Sequence, residues 1–417
     1  MARARRRGKG LPKIAHKWPA ARGSARLMQR APRGISRRDR DAGALGLALA
    51  RRGPGGAGRP AEPAPSLPED SSMTHTAPIP AAGSAPATPA ASEPPVVSIL
   101  VVSFNTREMT LECLRSIRAE TETPHEVIVV DNQSRDGSAE AIAAEFPEAT
   151  LLAERENHGF ARANNLAATR ARGEFLLLLN PDTVILDRAV DRLVAFARET
   201  PAARIWGGRT VFADGRLNPT SCWRRMSLWN IACRSAGLTR AFARSPWLNS
   251  EGYGGWDRAT RRRVDIVTGC FLLIARADWE RLGGFDPVFT MYGEEADLCL
   301  RARRGLGARP MVTPEATIVH HGGASDRVAA DRVVNTLRAK AELLDRHLPA
   351  WQRPLARPLF RLWPLSRGLM LGAAARLGRG SGSEGGHRHA ADARGEGAGV
   401  WREVWARRGE WQGGFPR

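Results

Sequence analysis

The chain has 417 residues and carries 63 Lys and Arg against 43 Asp and Glu, a formal net charge of +20 at pH 7. Residues 1–59 hold 17 of the Lys and Arg against 2 Asp, so most of the excess positive charge is N-terminal. No run of about 18 apolar residues occurs, so we expect no membrane-spanning helix. The five cysteines lack the spacing of a metal site or of a secreted disulfide framework, and they fit a reducing cytosol.

The first 95 residues are basic and then rich in Pro, Ala, Ser and Thr, a composition unsuited to a hydrophobic core. We predict a disordered arm. The same basic run suits binding to RNA, DNA or anionic lipid, so a nucleic-acid-binding protein that acts through the arm is the alternative from a different class. Met73 is a second candidate start, which leaves open whether residues 1–72 are translated.

The first unit predicted after this arm is a strand, a helix and a strand. Residues 96–102 and 126–130 are apolar runs typical of buried strands, and Leu111, Leu114 and Ile117 recur along one helix face between them. A right-handed crossover places the ends of two parallel strands at the same edge of a sheet. The polar residues that follow each strand therefore face one crevice.

Polar residues after the second and third predicted strands are candidates for ligand binding. Asp131 can accept hydrogen bonds from a base or a ribose, or it can cap the turn over residues 134–138. Asn157 and Gly159 follow an apolar run at residues 149–152. The glycine either permits close backbone approach to a ligand or only forms a turn.

A fully apolar strand, Phe175–Leu179, leads directly into Asn180, Pro181 and Asp182. Ligands collect where buried strands of an open α/β sheet end, so Asp182 is placed like a ligand-binding residue. Because Asn-Pro-Asp also favours turns, the alternative is that Asp182 only starts a turn or caps the next helix.

The second half of the chain supplies further candidates. Residues 264–274 are strand-like, with a Thr-Gly break that predicts a bulge or close backbone approach near the site. Glu294, Glu295 and Asp297 open a predicted helix. Stabilisation of the positive end of the helix dipole explains three carboxylates at this point, and chemistry on an acceptor is the other explanation.

His320 ends an apolar run and is followed by His321 and two glycines. It is either a ligand for a metal or a diphosphate, or only a histidine at the end of a strand. Residues 348–377 mix Leu, Trp and Phe with Arg, which suits either a membrane interface or helices packed on the preceding domain. Residues 379–417 form a Gly- and Arg-rich low-complexity tail with no assigned function.

Taken in order, these segments resemble the nucleotide-sugar-binding half of glycosyltransferase family 2. The resemblance rests on residues 102–105, 131–138, 157–165, 293–301 and 318–325, and it covers roughly 230 of the 417 residues. It is nearest to the rhamnosyltransferase-like branch, because Asn180-Pro181-Asp182 stands where other members carry Asp-x-Asp.

The resemblance implies an α/β fold of the GT-A type, with a Rossmann-like mixed sheet and flanking helices, over residues 96–330. A helical, membrane-interfacial extension is expected over residues 331–378, followed by the tail at 379–417.

The resemblance also implies roles for residues of this sequence. Asp182 and His320 would hold a divalent metal, Mg²⁺ or Mn²⁺. Glu295 stands where the family has an aspartate, and it is the first choice for the base, with Glu294 and Asp297 positioning sugar or acceptor hydroxyls. The residues expected to bind the donor are Ser103, Phe104, Asn105, Asp131, Asn132, Ser134, Asn157, Gly159, Asn164 and Asn180.

The implied function is that of an inverting glycosyltransferase. It would move a sugar, with rhamnose from dTDP-rhamnose as the best specific choice, to a hydroxyl of a glycan or polyprenyl-linked acceptor in cell-surface polysaccharide synthesis. We expect it in the cytoplasm, at the anionic inner face of the cell membrane, with no specific nucleic-acid partner. The alternatives are a galactofuranosyl, glucosyl or N-acetylhexosaminyl donor, and a catalytically idle relative, because of Glu295.

Overall fold

Residues 94–322, 329–380 and 386–416 are described by the structure, a computed structural model. The arm was predicted over residues 1–95, and its residues 1–93 lie outside these ranges. The alternative hypothesis that this arm is the functional part therefore also concerns residues outside them. Residues 323–325 of the segment that begins at His320 also lie outside.

The described residues alternate between strands and helices as far as β6, and helices dominate after β11. The strands are β1 (Val97–Ser103), β2 (His125–Asp131), β3 (Thr150–Ala153), β4 (Phe175–Leu179), β5 (Thr183–Ile185), β6 (Ile205–Val211), β7 (Cys222–Trp223), β8 (Arg262–Arg263), β9 (Ile266–Val267), β10 (Phe271–Ala275) and β11 (Met311–His320). The helices are α1 (Arg107–Glu120), α2 (Ser138–Glu145), α3 (Gly159–Ala168), α4 (Ala189–Glu199), α5 (Leu228–Ser235), α6 (Leu238–Ala241), α7 (Arg276–Leu282), α8 (Glu294–Gly305), α9 (Ala329–His347), α10 (Arg353–Gly380) and α11 (Gly386–Ala406).

The main sheet is mixed, with the strand order β3-β2-β1-β4-β10-β6-β11-β5 and with β8 paired to β11. The first four strands of this order are parallel, and β10 runs antiparallel to both β4 and β6. β7 and β9 form a separate two-stranded sheet. The predicted α/β sheet with flanking helices and a helical C-terminal region is confirmed.

The centre of the sheet is buried on both faces because its strands are continuous apolar runs. All five residues of β4 are buried. On one face, α1, α2 and α4 cover the sheet, and the predicted side chains Leu111, Leu114 and Ile117 form the contact of α1. On the other face, α3, α7 and α8 pack against alternate residues of the same strands. The sheet is therefore held between two helical layers.

The C-terminal helices form a third hydrophobic cluster, which includes Phe360, Val404 and Trp411. α10 is tied to α5 by two hydrogen bonds, from Ser366 Oγ to the carbonyl of Ser235 at 2.7 Å and from Ser235 Oγ to the carbonyl of Leu359 at 2.5 Å. One side of α10 is thus packed, as one of the two explanations of residues 348–377 requires. Within the described ranges, no helix combines the length and the apolar character that crossing a bilayer requires.

The segment that the sequence marks as a low-complexity tail contributes buried side chains, so we expect it to carry folding stability. Trp411 is fully buried and its Nε1 donates to the carbonyl of Val404 at 3.0 Å. Trp411→Ala should lower the free energy of unfolding by about 3–5 kcal/mol, measured by urea denaturation. Trp247→Ala is the control, because that side chain is 77% exposed and its loss should change stability by about 0.5 kcal/mol or less. Equal stability of the two variants would contradict the prediction.

Candidate active site

The carboxyl ends of β1, β2 and β4 lie side by side at one edge of the sheet. Ser103, the last residue of β1, pairs with Asp131, the last residue of β2, and Leu179 at the end of β4 pairs with Val101. Phe271 starts β10 opposite Leu179, and His320 ends β11 opposite Thr183. Polar residues from both halves of the chain are therefore delivered to the same edge.

Several residues predicted to bind the donor also hold the loops at this edge. Asn105 has a left-handed φ of 52°; its backbone N–H donates to Ser134 Oγ at 2.9 Å and its Oδ1 accepts from the N–H of Arg135 at 2.8 Å. Ser103 is buried, and its hydroxyl lies 3.0 Å from that of Thr110. The loops after β1 and β2 are thus fastened to each other. Phe104, which lies between Ser103 and Asn105 in the chain, is half-buried.

Asn132 fastens the next loop in the same way. Its Nδ2 donates to Asn157 Oδ1 at 2.9 Å, and its Oδ1 accepts from the N–H of His158 at 2.8 Å. Gly159 has a φ of 72°, and a Cβ there would lie 2.5 Å from the carbonyl oxygen of Thr290, so the close approach at this glycine is to protein backbone. Asn164 is buried, and its Nδ2 donates to the carbonyl of Phe160, the residue after Gly159, at 2.9 Å.

Asp131 keeps one carboxylate oxygen free. Its Oδ2 accepts from the N–H of Ser134 at 3.0 Å, as the turn-capping explanation requires. Its Oδ1 is buried and has no hydrogen-bond partner. One side chain therefore caps the turn and also presents an acceptor that a nucleoside hydroxyl or amide could satisfy.

Unsatisfied polar atoms are concentrated in the predicted site. In the described ranges, ten buried side-chain nitrogen or oxygen atoms lack a hydrogen-bond partner, and five of them belong to predicted site residues. These five atoms are Asp131 Oδ1, Asn180 Oδ1, Glu294 Oε2, Glu295 Oε2 and His320 Nδ1. An unsatisfied buried polar atom costs about 1–3 kcal/mol, so a cluster of them indicates a place that a ligand completes.

Asp182 and His320 form the pair expected to hold a metal. Asp182 Oδ1 lies 3.4 Å from His320 Nε2, and Asp182 Oδ2 accepts from the N–H of Gly322 at 3.0 Å. Burial raises the pKa of Asp182, but His320 and the Gly322 amide outweigh it and hold the pKa below its usual range. Burial lowers the pKa of His320, but Cys270 and Asp182 outweigh it and raise the pKa overall.

The residues around this pair fit a divalent ion that is shared with a ligand. One carboxylate, the imidazole of His320 once it has released its proton, and the unsatisfied amide oxygen of Asn180 are suitable donors for Mg²⁺ or Mn²⁺. Among the described residues, no group of three or more His, Cys, Asp or Glu side chains could hold a metal ion. The protein alone therefore offers few strong ligands, and diphosphate oxygens would have to complete the shell.

Glu295 lies where the two halves of the chain meet. A Cβ placed on Gly269, in the break between β9 and β10, would lie 3.3 Å from the ring of Phe160 and 3.9 Å from Glu295 Cβ. Phe160 is at the start of α3 and Glu295 at the start of α8, as the acidic pattern predicts. The predicted Thr-Gly break therefore lies next to the first turns of both α3 and α8.

Glu294 and Glu295 are adjacent carboxyl groups in a poorly hydrated place. Burial, and then the neighbouring Glu295, raise the pKa of Glu294 well above its usual range. Burial also raises the pKa of Glu295, while the backbone amides at the start of α8 and the ammonium group of Lys340 oppose this rise. Because two such groups resist ionising together, one of them is expected to keep its proton.

Asp297 is placed differently from these two glutamates. Its Oδ2 accepts from Arg301 Nε at 2.6 Å and its Oδ1 lies 2.8 Å from His347 Nε2, and only 1% of the residue is exposed. Asp297 therefore joins α8 to the end of α9. No local pattern marks His347 as part of the site, because its partner lies fifty positions away on another helix.

Comparison with known proteins agrees with this geometry. The family model described as Glycosyl transferase family 2 matches residues 98–281. An N-acetylglucosaminyl-diphospho-decaprenol L-rhamnosyltransferase of Mycobacterium tuberculosis is 26% identical over 297 residues, which cover 68% of this chain and 95% of that protein. An O-antigen biosynthesis protein, RfbC, of Myxococcus xanthus is 28% identical over 246 residues, which cover 57% of this chain and 18% of that protein.

Among solved structures, a mannosyltransferase of Pyrobaculum calidifontis in complex with GDP-Man and Mn²⁺ is 21% identical, with a TM-score of 0.44. The match covers 78% of this chain and 86% of that one.

The family 2 model over residues 98–281 and the glycosyltransferase relatives show that the chain is a glycosyltransferase. Its similarity to a rhamnosyltransferase over 68% of the chain supports the predicted resemblance to the rhamnosyltransferase-like branch of glycosyltransferase family 2.

The small set of protein ligands predicts that metal and nucleotide bind together. Calorimetric titration of Mn²⁺ should show weak binding to the protein alone and binding about tenfold tighter or more when dTDP is present. Asp182→Asn should abolish this enhancement. Asp214→Asn is the control, because Asp214 pairs with Arg216 in an exposed turn and should leave the enhancement intact. Tight Mn²⁺ binding to the nucleotide-free protein would contradict the prediction.

Proposed function

We propose that this glycosyltransferase transfers rhamnose from dTDP-rhamnose, with inversion, to a hydroxyl of a lipid-linked glycan acceptor used in cell-surface polysaccharide synthesis. The observation that carries the proposal is that Asp131, Asn180 and Glu295, which come from distant parts of the chain, each keep a buried oxygen without a hydrogen-bond partner. Two observations support the choice of sugar. One is the Asn180-Pro181-Asp182 motif, and the other is the similarity to the Mycobacterium tuberculosis rhamnosyltransferase, of which the match covers 95%.

The donor half of the reaction uses the strand ends of β2 and β4. The free Oδ1 of Asp131 accepts a hydrogen bond from the nucleoside. Asp182 and His320 would hold the divalent ion, with Asn180 beside them. When bound, such an ion neutralises the charge that develops on the departing diphosphate. The fastened loops fix the donor in one orientation, which lowers the entropic cost of the reaction.

The acceptor half uses the start of α8. The carboxylate of Glu295 takes the proton from the acceptor hydroxyl, whose oxygen then forms a bond to the anomeric carbon. The bond from that carbon to the diphosphate oxygen breaks on the opposite side, and its electron pair leaves with the diphosphate. Attack in line with the leaving group inverts the configuration. Glu294 stays protonated and donates a hydrogen bond to a sugar or acceptor oxygen.

This assignment predicts that Glu295→Gln lowers kcat by about 10²–10⁴-fold and leaves dTDP binding unchanged, because only the proton acceptor is lost. Release of dTDP from dTDP-rhamnose with N-acetylglucosaminyl-diphospho-decaprenol as acceptor measures turnover, and calorimetry measures binding. Glu280→Gln, at an exposed position of α7, is the matched control and should stay active. A fully active Glu295→Gln enzyme would refute the assignment of the base. Replacing dTDP-rhamnose by other nucleotide sugars in the same assay tests the choice of donor.

We further infer that the protein meets its acceptor at an anionic membrane surface. The most exposed large hydrophobic side chains of the described residues all lie in residues 229–247 and 351–377. On α10, Leu355, Leu362 and Leu369 recur every seven residues, which places them on one side of the helix, and 66% of Leu369 is exposed.

The α5–α6 segment extends this apolar side. Met370 of α10 packs on Gly237, where a Cβ would lie 2.8 Å from its Cε. Trp229 and Trp247, which flank Gly237 in the chain, are both exposed. Trp229 Nε1 donates a hydrogen bond of 2.9 Å to the carbonyl of Trp247. The exposed arginines of these segments that have no carboxylate partner among the described residues include Arg240, Arg361 and Arg376. Exposed Leu and Trp with free arginines suit anionic headgroups.

Flotation with liposomes tests this surface. We expect binding to vesicles that contain anionic lipid and weaker binding to zwitterionic vesicles. A Leu362→Gln, Leu369→Gln double variant should lose most of the binding, because about 0.8 kcal/mol is lost for each CH₂ group that no longer inserts. Chains that start at Met1 and at Met73 are compared, so that binding by the basic arm is separated from binding by this surface. Unchanged flotation of the double variant in the Met73 chain would count against the surface.

A further inference from the structure

β6 (Ile205–Val211) carries one charged side chain into an otherwise buried part of the main sheet. It lies between β10 and β11, so it is an interior strand with a neighbour on each side. Six of its seven residues are buried, and Arg209 is the one that is partly exposed. Because β6 is flanked on both sides, this exposure means that the layers packed on the sheet leave a crevice open at Arg209.

The pairing of β6 places Arg209 near the edge of the sheet that holds the candidate active site. β6 runs parallel to β11 and antiparallel to β10, which is antiparallel to β4, so β4, β6 and β11 end at the same edge. Arg209 pairs with Thr317, three residues before His320, so Arg209 and His320 lie about 10 Å apart along the strand direction. A long arginine side chain and a bound diphosphate together span that distance.

Arg209 lies on the face of the sheet that also carries α8, the helix of the predicted base. Side chains alternate between the two faces of a strand, so Arg209 shares its face with Gly207 and Val211. A Cβ on Gly207 would collide with the side chain of Val267, and Val267 belongs to the core beneath α3 and α8. Arg209 is therefore on the side of the sheet where α8 begins.

The guanidinium group of Arg209 has no partner among the residues that the structure describes. Its Nε is buried without a hydrogen-bond partner, and its other nitrogens take part in no described hydrogen bond or ion pair. Arg234 and Arg258 also have a buried, unpartnered Nε, but their terminal nitrogens bind Glu251 and backbone carbonyls. Arg209 differs from them because its whole charge is left without a protein partner, which is costly for a partly buried group.

We propose that Arg209 binds the diphosphate of the donor, beside the ion that Asp182 and His320 would hold. This inference rests on the proposed function, because it adds a residue that binds the leaving group of that reaction. None of the predicted site residues is a Lys or an Arg, although a nucleoside diphosphate carries more negative charge than one divalent ion balances beside the carboxylate of Asp182. A guanidinium group supplies a permanent positive charge and parallel N–H donors that match phosphate oxygens.

Binding of the nucleoside with and without its phosphates tests the proposal. In Arg209→Gln the Kd of dTDP, measured by calorimetry, should rise about tenfold or more, because charged hydrogen bonds to phosphate are lost. The Kd of thymidine, which has no phosphate and is followed by NMR, should not change. Since the charge of Arg209 does not depend on a metal, the loss for dTDP should occur both with Mn²⁺ and with EDTA. Arg209→Lys keeps the charge without the parallel donors and should give an intermediate Kd.

Arg263→Gln is the matched control for the loss of one positive charge. Arg263 is exposed on β8 and pairs with Met311, at the opposite end of β11 from His320, so its loss should leave both affinities unchanged. The melting temperature of each variant measures folding. An unchanged Kd of dTDP in folded Arg209→Gln would overturn the inference. An equal loss of affinity for dTDP and thymidine would also overturn it, since a distorted site weakens both.

Failure of this inference is distinguishable from failure of the proposed function. If the unaltered protein binds UDP or GDP rather than dTDP, the proposed donor is wrong, and the same comparison with that diphosphate and its nucleoside decides the role of Arg209. If Asp182→Asn abolishes the Mn²⁺ enhancement while Arg209→Gln binds dTDP as tightly as the unaltered protein, the proposed donor site stands and the role of Arg209 is refuted.

Discussion

The site depends on the register that places β1 between β2 and β4. Because Ser103 pairs with Asp131 and Val101 pairs with Leu179, three parallel strands end within one or two residues of each other. The loops that follow them have no freedom to separate, since Asn105 and Asn132 bind the neighbouring loops through both backbone and side-chain groups. The result is a rigid rim, which suits a reaction that needs a donor held in one orientation.

The packing behind this rim offsets the stability that is lost through its unsatisfied polar atoms. Free oxygens of Asp131 and Asn180, together with those of the two glutamates of α8, are buried without partners, and each costs stability in the unliganded protein. The apolar strands behind them and the helices on both faces supply the stability that offsets this cost. A nucleotide sugar that forms hydrogen bonds with these atoms removes part of this loss of stability. Binding and folding stability are therefore linked at this edge.

The contact of α9 with α8 brings a third part of the chain into the site. The glutamates lie at the positive end of α8, and α9 contacts this turn at Gly293 and binds Asp297 through His347. Beside α9, Glu251 pairs with Lys340 and with Arg234 of α5, and α5 carries one end of the exposed apolar surface. The C-terminal helices therefore contact the segment that carries the predicted catalytic residues.

Local patterns predicted the bounds of the central strands closely, and the tertiary structure adds a loop-fastening use for several residues that were predicted to bind the donor. The strands at residues 96–102, 126–130 and 175–179 occur within a residue of their predicted bounds, because continuous apolar runs have few alternatives to a buried strand. Asn105, Asn132 and Asn164 were expected at the donor, and the structure shows their amides bound to backbone and neighbouring side chains. A short amide side chain suits both uses equally well, so the sequence cannot separate them.

By itself, the sequence determined the buried strands at the centre of the sheet, the carboxylates that follow them and the resemblance to glycosyltransferase family 2. Periodicity and short motifs carry this information, because both depend on neighbours along the chain. Only the tertiary structure decided that Asp297 joins two helices, that Ala339 of α9 packs against Gly293 just before the two glutamates, and that residues of the Gly- and Arg-rich tail enter a core at Trp411. Those contacts join residues that are far apart in sequence, and their partners are set by how whole helices pack, which no local pattern records.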